Sequence, residues 1–145
     1  MTVALASQEI AEQAALSMLA KNAVDVMIID LRGLSSITDY FVIGTAGSEP
    51  QIKAVVEQVT ADLKERDTAP WHSEGKQSWR WVLLDYVDVV IHVFRDEVRA
   101  FYGLERLWGD APRVEVSTDV ATGEIIRRPD AGVPEDVVDA LESEA

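Results

Sequence analysis

Asp85, Asp88 and His92 stand close together in the stretch DYVDVVIH, with tryptophans at 79 and 81 just before it. Carboxylates and an imidazole at this density raise two chemistries, a metal site and a general acid–base pair. A metal needs three or four ligands converging on one point. In an extended strand Asp88 and His92 share a face, but about 13 Å of backbone separates them, too far to hold one ion. The simpler role for aspartates beside a turn is hydrogen bonding to backbone. A second candidate is GTAGSEPQ, Gly44 to Gln51, where a small-residue turn opening a helix would suit an anion. It lacks both the lysine–serine pair of a phosphate loop and a G-x-G-x-x-G pattern, so a helix cap is the expectation. Nothing resembles a Ser/His/Asp arrangement. No metal, no cofactor and no catalytic residue is expected.

The elements that must position these residues follow from periodicity and stop signals. A first helix is predicted from a Ser7 cap to about Lys21, with Ile10, Ala14 and Met18 at helical spacing. VDVMIID (24–30) and DYFVIGTA (39–46) read as strands. Ser48, Pro50 and Gln51 announce a second helix, and Ile52, Val55, Val56, Val59 and Leu63 give it one apolar stripe ending near Asp67. A short extended piece with a break at Gly75 leads to two strands, Trp79–Leu84 and Val89–Phe94. Asp96 is expected to cap a last helix that Gly109 and Pro112 stop. Helices interleaved with strands predict a mixed-sheet α/β sandwich.

Alternation sorts the hairpin into two faces. With Tyr86 and Val87 as a two-residue turn, Asp85 pairs with Asp88, Leu83 with Val90, and Trp81 with His92. Val82, Leu84, Val89, Ile91 and Val93 then form a wholly aliphatic face that belongs against helices. Trp79, Trp81, Leu83, His92 and Phe94 form the other, with the aspartates at its rim. Val87 is ill suited to the positive φ that such turns favour, so a longer turn and another register remain open. Burying one indole removes about 150–250 Å² from water, on the order of 4–6 kcal/mol as an upper bound. Either the last helix or another protein covers this face.

The 145 residues fit one domain, and 48% hydrophobic content supports a core. There is no cysteine, so disulfide frameworks and cysteine zinc sites are excluded. The N-terminus lacks a basic secretory n-region, and no apolar run approaches the roughly 20 residues of a membrane span. A soluble cytoplasmic protein is expected. Net charge is −13, with −7 from Asp110 onward and −6 before it. Such a field disfavours a direct grip on nucleic acid and favours a basic protein partner. Residues 1–113 are expected to form the folded domain, and 114–145 an acidic, flexible tail with at most a small hairpin around Gly123.

Three ordered blocks, DLRGLSSITDYFVIGTAGS, WRWVLLDYVDVVIHVF and RAFYGLERLWGDAPRV, together resemble the Iojap family, the ribosomal silencing factors. The likeness runs from about Ile10 to Val114. It implies a nucleotidyltransferase-like α/β fold without catalytic acids. It also implies binding to large-subunit ribosomal protein fourteen at the intersubunit face, steric blockage of small-subunit joining, and a homodimer when free. The partner-binding residues it implies are Trp81, Asp85, Asp88, His92, Tyr102, Glu105 and Trp108. The family pattern has glycine where this chain has Val87. An alternative, a nucleotidyltransferase-like enzyme, would need an Asp-x-Asp or Asp-x-Glu on a strand soon after Gly47-Ser48. An amphipathic helix follows instead.

Overall fold

The structure is a computed structural model and describes residues 5–98 and 111–129. Two helices, α1 (Ser7–Ala20) and α2 (Glu49–Glu65), pack on a sheet of seven strands: β1 (Val24–Asp30), β2 (Tyr40–Ala46), β3 (His72–Glu74), β4 (Trp81–Asp85), β5 (Val89–Arg95), β6 (Arg113–Thr118) and β7 (Ile125–Pro129). The spatial order is β3-β4-β5-β2-β1-β6-β7. Among the described residues only β2 and β5 pair in parallel, so the sheet is mixed, as the sequence predicts.

The start of α2 is specified locally. Ser48 Oγ accepts from the Gln51 N–H (3.2 Å), and Gln51 Oε1 accepts from the Gly47 N–H (2.7 Å). The Gln51 amide also donates to the Asn22 carbonyl (2.9 Å), tying the end of α1 to the start of α2. All five residues of the predicted stripe are buried. Each contributes about 1.5–3 kcal/mol relative to exposure. For α1 the cap is Ala6, one residue before the predicted Ser7, and Glu9 accepts from its N–H (3.1 Å). Alanine has no side-chain acceptor to complete a reciprocal box.

Strand alternation divides the apolar residues as predicted. Val82, Leu84, Val89, Ile91 and Val93 join Val42, Ala46 and the helix stripes in the main core. Gly44 lies on this side, where an added Cβ would come within 2.5 Å of Met18 Sδ, so the missing side chain lets α1 settle onto the sheet. The opposite face carries a smaller cluster of Ile29, Leu31, Ile43, Phe94, Val98 and Ala111.

Three expectations are corrected. The turn between β4 and β5 is Val87–Asp88, closed by the Tyr86 N–H bonded to the Val89 carbonyl (2.9 Å). Asp85 therefore faces Val90, Leu83 faces His92 and Trp81 faces Phe94. The side chain of Asp85 selects this turn by accepting from the Val87 N–H (2.8 Å), and Val87 is held at φ 72°. For a β-branched residue that conformation costs on the order of 1–3 kcal/mol. Second, Trp79 precedes β4, at φ 55°, and packs on the helix side beneath Lys53 (5.3 Å to the ring). Third, part of the expected tail is sheet: β6 pairs with β1, and β7 with β6 around Gly123. Val114 and Val116 are buried in the main core, and Arg127 pairs with Glu12 of α1. The open edge of β1 needed a partner, and the alternating Val114 and Val116 supply one.

Gly44→Ala should lower stability by about 1–3 kcal/mol in urea unfolding. In a Met18→Ala background the added penalty should shrink, because the clash partner is gone.

Candidate functional site

The second face of the sheet brings together the residues that the sequence singles out. Trp81 enters β4 half-buried and stacks on its cross-strand partner Phe94, with centroids 4.9 Å apart and planes at 24°. Its indole N–H donates diagonally to His92 Nδ1 (3.1 Å). Phe41 of β2 meets the His92 ring edge-on at 4.8 Å. The result is a ladder of four rings across three neighbouring strands. Aromatic pairs of this kind add about 0.5–1.5 kcal/mol each beyond their burial.

His92 is 3% exposed. It does not present its imidazole outward, contrary to a direct docking residue. Its reach to the surface passes through Trp81. Because Nδ1 accepts the indole hydrogen, the neutral ring carries its proton on Nε2, which is buried and has no hydrogen-bond partner among the described residues. Burial lowers the imidazole pKa to about 4. The geometry points the same way: a proton on Nδ1 would set two N–H groups against each other.

Asp85 and Asp88 sit apart from this ladder. Four residue steps along β4, about 13 Å, separate Trp81 from Asp85. Asp85 holds the turn through Val87. The Asp88 carbonyl accepts from the N–H groups of Asp39 (2.8 Å) and Tyr40 (3.2 Å), which fixes the entry of β2; its side chain is exposed. The seven implied residues thus do not form one cluster: Trp81 and His92 are joined, and Asp85 and Asp88 mark the far end of the hairpin. Tyr102, Glu105 and Trp108 lie outside the described residues. Residues 96–98 begin a helical turn, with Val98 in the smaller cluster. The Gly47-Ser48 turn is filled by its own capping bonds. Among the described residues no three His, Asp or Glu side chains are grouped to hold a metal. A residue that sequence reasoning passed over is Trp71, which is 76% exposed just before β3.

The buried neutral His92 makes a pH prediction. Its pKa is about 4 folded and 6.5 as a free side chain. The folded state therefore binds fewer protons, and its contribution is whole above pH 6.5 and lost as pH falls from 6.5 through 4. The full loss is about 3 kcal/mol. The stability difference between wild type and His92→Gln, measured by denaturant unfolding, should shift by that order across this window; a flat difference would contradict the assignment.

Comparison with known proteins agrees with this architecture. The family described as ribosomal silencing factor during starvation matches residues 4–139. A ribosomal silencing factor of Halalkalibacterium halodurans is 38% identical over 112 residues, covering 77% of this chain and 96% of that protein. The Zea mays chloroplastic protein Iojap is 36% identical over 97 residues, covering 67% of this chain and 42% of its own length. A crystal structure of a Chromobacterium violaceum protein superposes with TM-score 0.70 at 35% identity, over 72% of this chain and 88% of that one. Among the described residues no helix is long and apolar enough to cross a membrane. The family supports a ribosome-silencing role and is named for regulation, not for a reaction. With a match across most of its length and relatives of the same fold, this chain belongs to the ribosomal silencing factor family.

Proposed function

We propose that the protein docks on the large ribosomal subunit in the cytoplasm, through ribosomal protein fourteen at the intersubunit face. There it sterically prevents the small subunit from joining. The observation that supports this reading most is the partly exposed Trp81 indole, oriented by a buried imidazole on an acidic protein. An indole locked by a hydrogen bond and a stacked ring loses little rotamer entropy on binding, which is what a hot-spot anchor requires. His92 acts as its positioning residue. Asp85 and Asp88, together with Tyr102, Glu105 and Trp108, complete the contact surface in this reading. Carboxylates supply steering and register toward a basic partner, and apolar desolvation supplies affinity.

No bond is made or broken. A bound body occupies space that the other subunit needs, and occupancy follows mass action. The free chain pairs with itself through the same aromatic face, so self-association and ribosome binding compete. The domain extends through the β6–β7 hairpin.

Trp81→Ala should weaken binding to purified large subunits by about 30-fold or more, a hot-spot loss of about 2 kcal/mol, while the protein stays folded. Co-sedimentation with large subunits measures it. A folded Trp81→Ala protein that co-sediments like wild type would sink this reading.

A further inference from the structure

We infer that the sheet end bearing the β4–β5 turn is a second docking surface, centred on Trp71, for a basic, apolar patch of the same protein that Trp81 engages. The inference rests on the proposed function.

Three large apolar side chains are left in water along this end: Trp71 at 76%, Ile37 at 84% and Val87 at 56% exposure. The topology sets them in a row. The Trp71 N–H donates to the Asp85 carbonyl (2.8 Å), which places Trp71 beside the last residue of β4. Val87 tips the next connection. Ile37 lies in the link from β1 to β2, and that link is bonded to the same turn from the Asp39 N–H to the Asp88 carbonyl (2.8 Å). From β3 to β2 is three strand spacings, about 14 Å. An exposed apolar row of this kind, rimmed by charge, is the mark of an interaction surface.

Two details argue that the row is held for contact. The Trp71 ring rests against His72 (5.9 Å), whose Nε2 meets Glu74 Oε1 at 2.9 Å, so the indole has a braced neighbour and an open side. Val87 keeps a positive φ that glycine would adopt without strain. The turn requires that φ, but a valine side chain there adds strain without packing in the core, and the inference from such an outlier runs toward function.

Charge names the occupant. Asp85 and Asp88 stand among these apolar groups, on a chain of net charge −13. At this end a second copy, which the proposed homodimer seats on the aromatic face instead, would set Asp85 and Asp88 against their like and be repelled, as would nucleic acid. A basic protein surface is attracted. One partner reaches both sites, because Trp81 and Asp85 are about 13 Å apart and an ordinary interface covers about 800 Å² on each side.

The test measures binding of the full chain to purified large ribosomal subunits at low and high salt. Trp71→Ala should weaken binding about tenfold or more without altering the urea midpoint. Val87→Gly should weaken binding while raising the midpoint, because it removes both the contact and the strain. If wild type binds, Trp81→Ala does not, and both tip variants bind like wild type, the second surface is refuted and the proposed function stands. If wild type itself does not bind, the proposed function fails and takes this inference with it. If Trp71→Ala leaves subunit binding intact but dissociates a homodimer in light scattering, the occupant is a second copy and the inference is overturned.

Discussion

A parallel pairing of β2 with β5 cannot be closed by a tight turn, so the chain must cross over between them. Here the crossover runs through α2, β3 and β4, and α2 spends it lying on one face of the sheet. That face takes the aliphatic residues of β5, and the alternate ones are forced to the other side. His92 and Phe94 are therefore buried opposite the helices, with β2 on one flank and β4 on the other. Antiparallel β4 then sets Trp81 over Phe94 and within hydrogen-bonding reach of His92. The site is a consequence of central-strand burial, with the inner rings of His92 and Phe94 sealed and the flanking Trp81 and Phe41 partly exposed.

Electrostatics and packing divide the work. A protein of net charge −13 gains attraction to a basic partner over the Debye length, about 8 Å at physiological salt, and little affinity from that alone. Affinity requires apolar surface that is already ordered. The ladder provides it because the imidazole stays uncharged at physiological pH and accepts from the indole throughout that range. A charged His92 would be costly where it sits and would release the ring it holds. Both statements concern one buried group, so the proposed anchor is also a point of acid sensitivity in the fold.

Much of this was legible in the sequence. α2 was readable because Ser48, Pro50 and Gln51 announce its start and five apolar residues keep helical spacing. The two faces of β4 and β5 were readable from alternation, which no register error can undo within a strand. The register itself was not, because turn rules disfavour a valine at positive φ, and the Asp85 side chain together with the Tyr86–Val89 backbone bond makes Val87 the corner. Trp79 was misplaced because a left-handed residue ends the alternation before β4. The β6–β7 hairpin was undervalued because its apolar density is low, although Val114 and Val116 carry a period of two. The burial of His92 depends on β2 passing beside β5, a long-range fact that no local pattern contains. The likeness to silencing factors names Trp81 and His92 as expected contacts, but does not contain the hydrogen bond by which one holds the other.

The central claim is that the aromatic face of β4 and β5, not the helical face, meets the ribosome. Electron cryomicroscopy of the protein bound to the large subunit tests it most directly. The account predicts density that places Trp81 and the end of the β4–β5 hairpin against ribosomal protein fourteen, with α1 and α2 turned toward solvent. A map in which α1 and α2 make the contact and the Trp81 indole faces open water would contradict it.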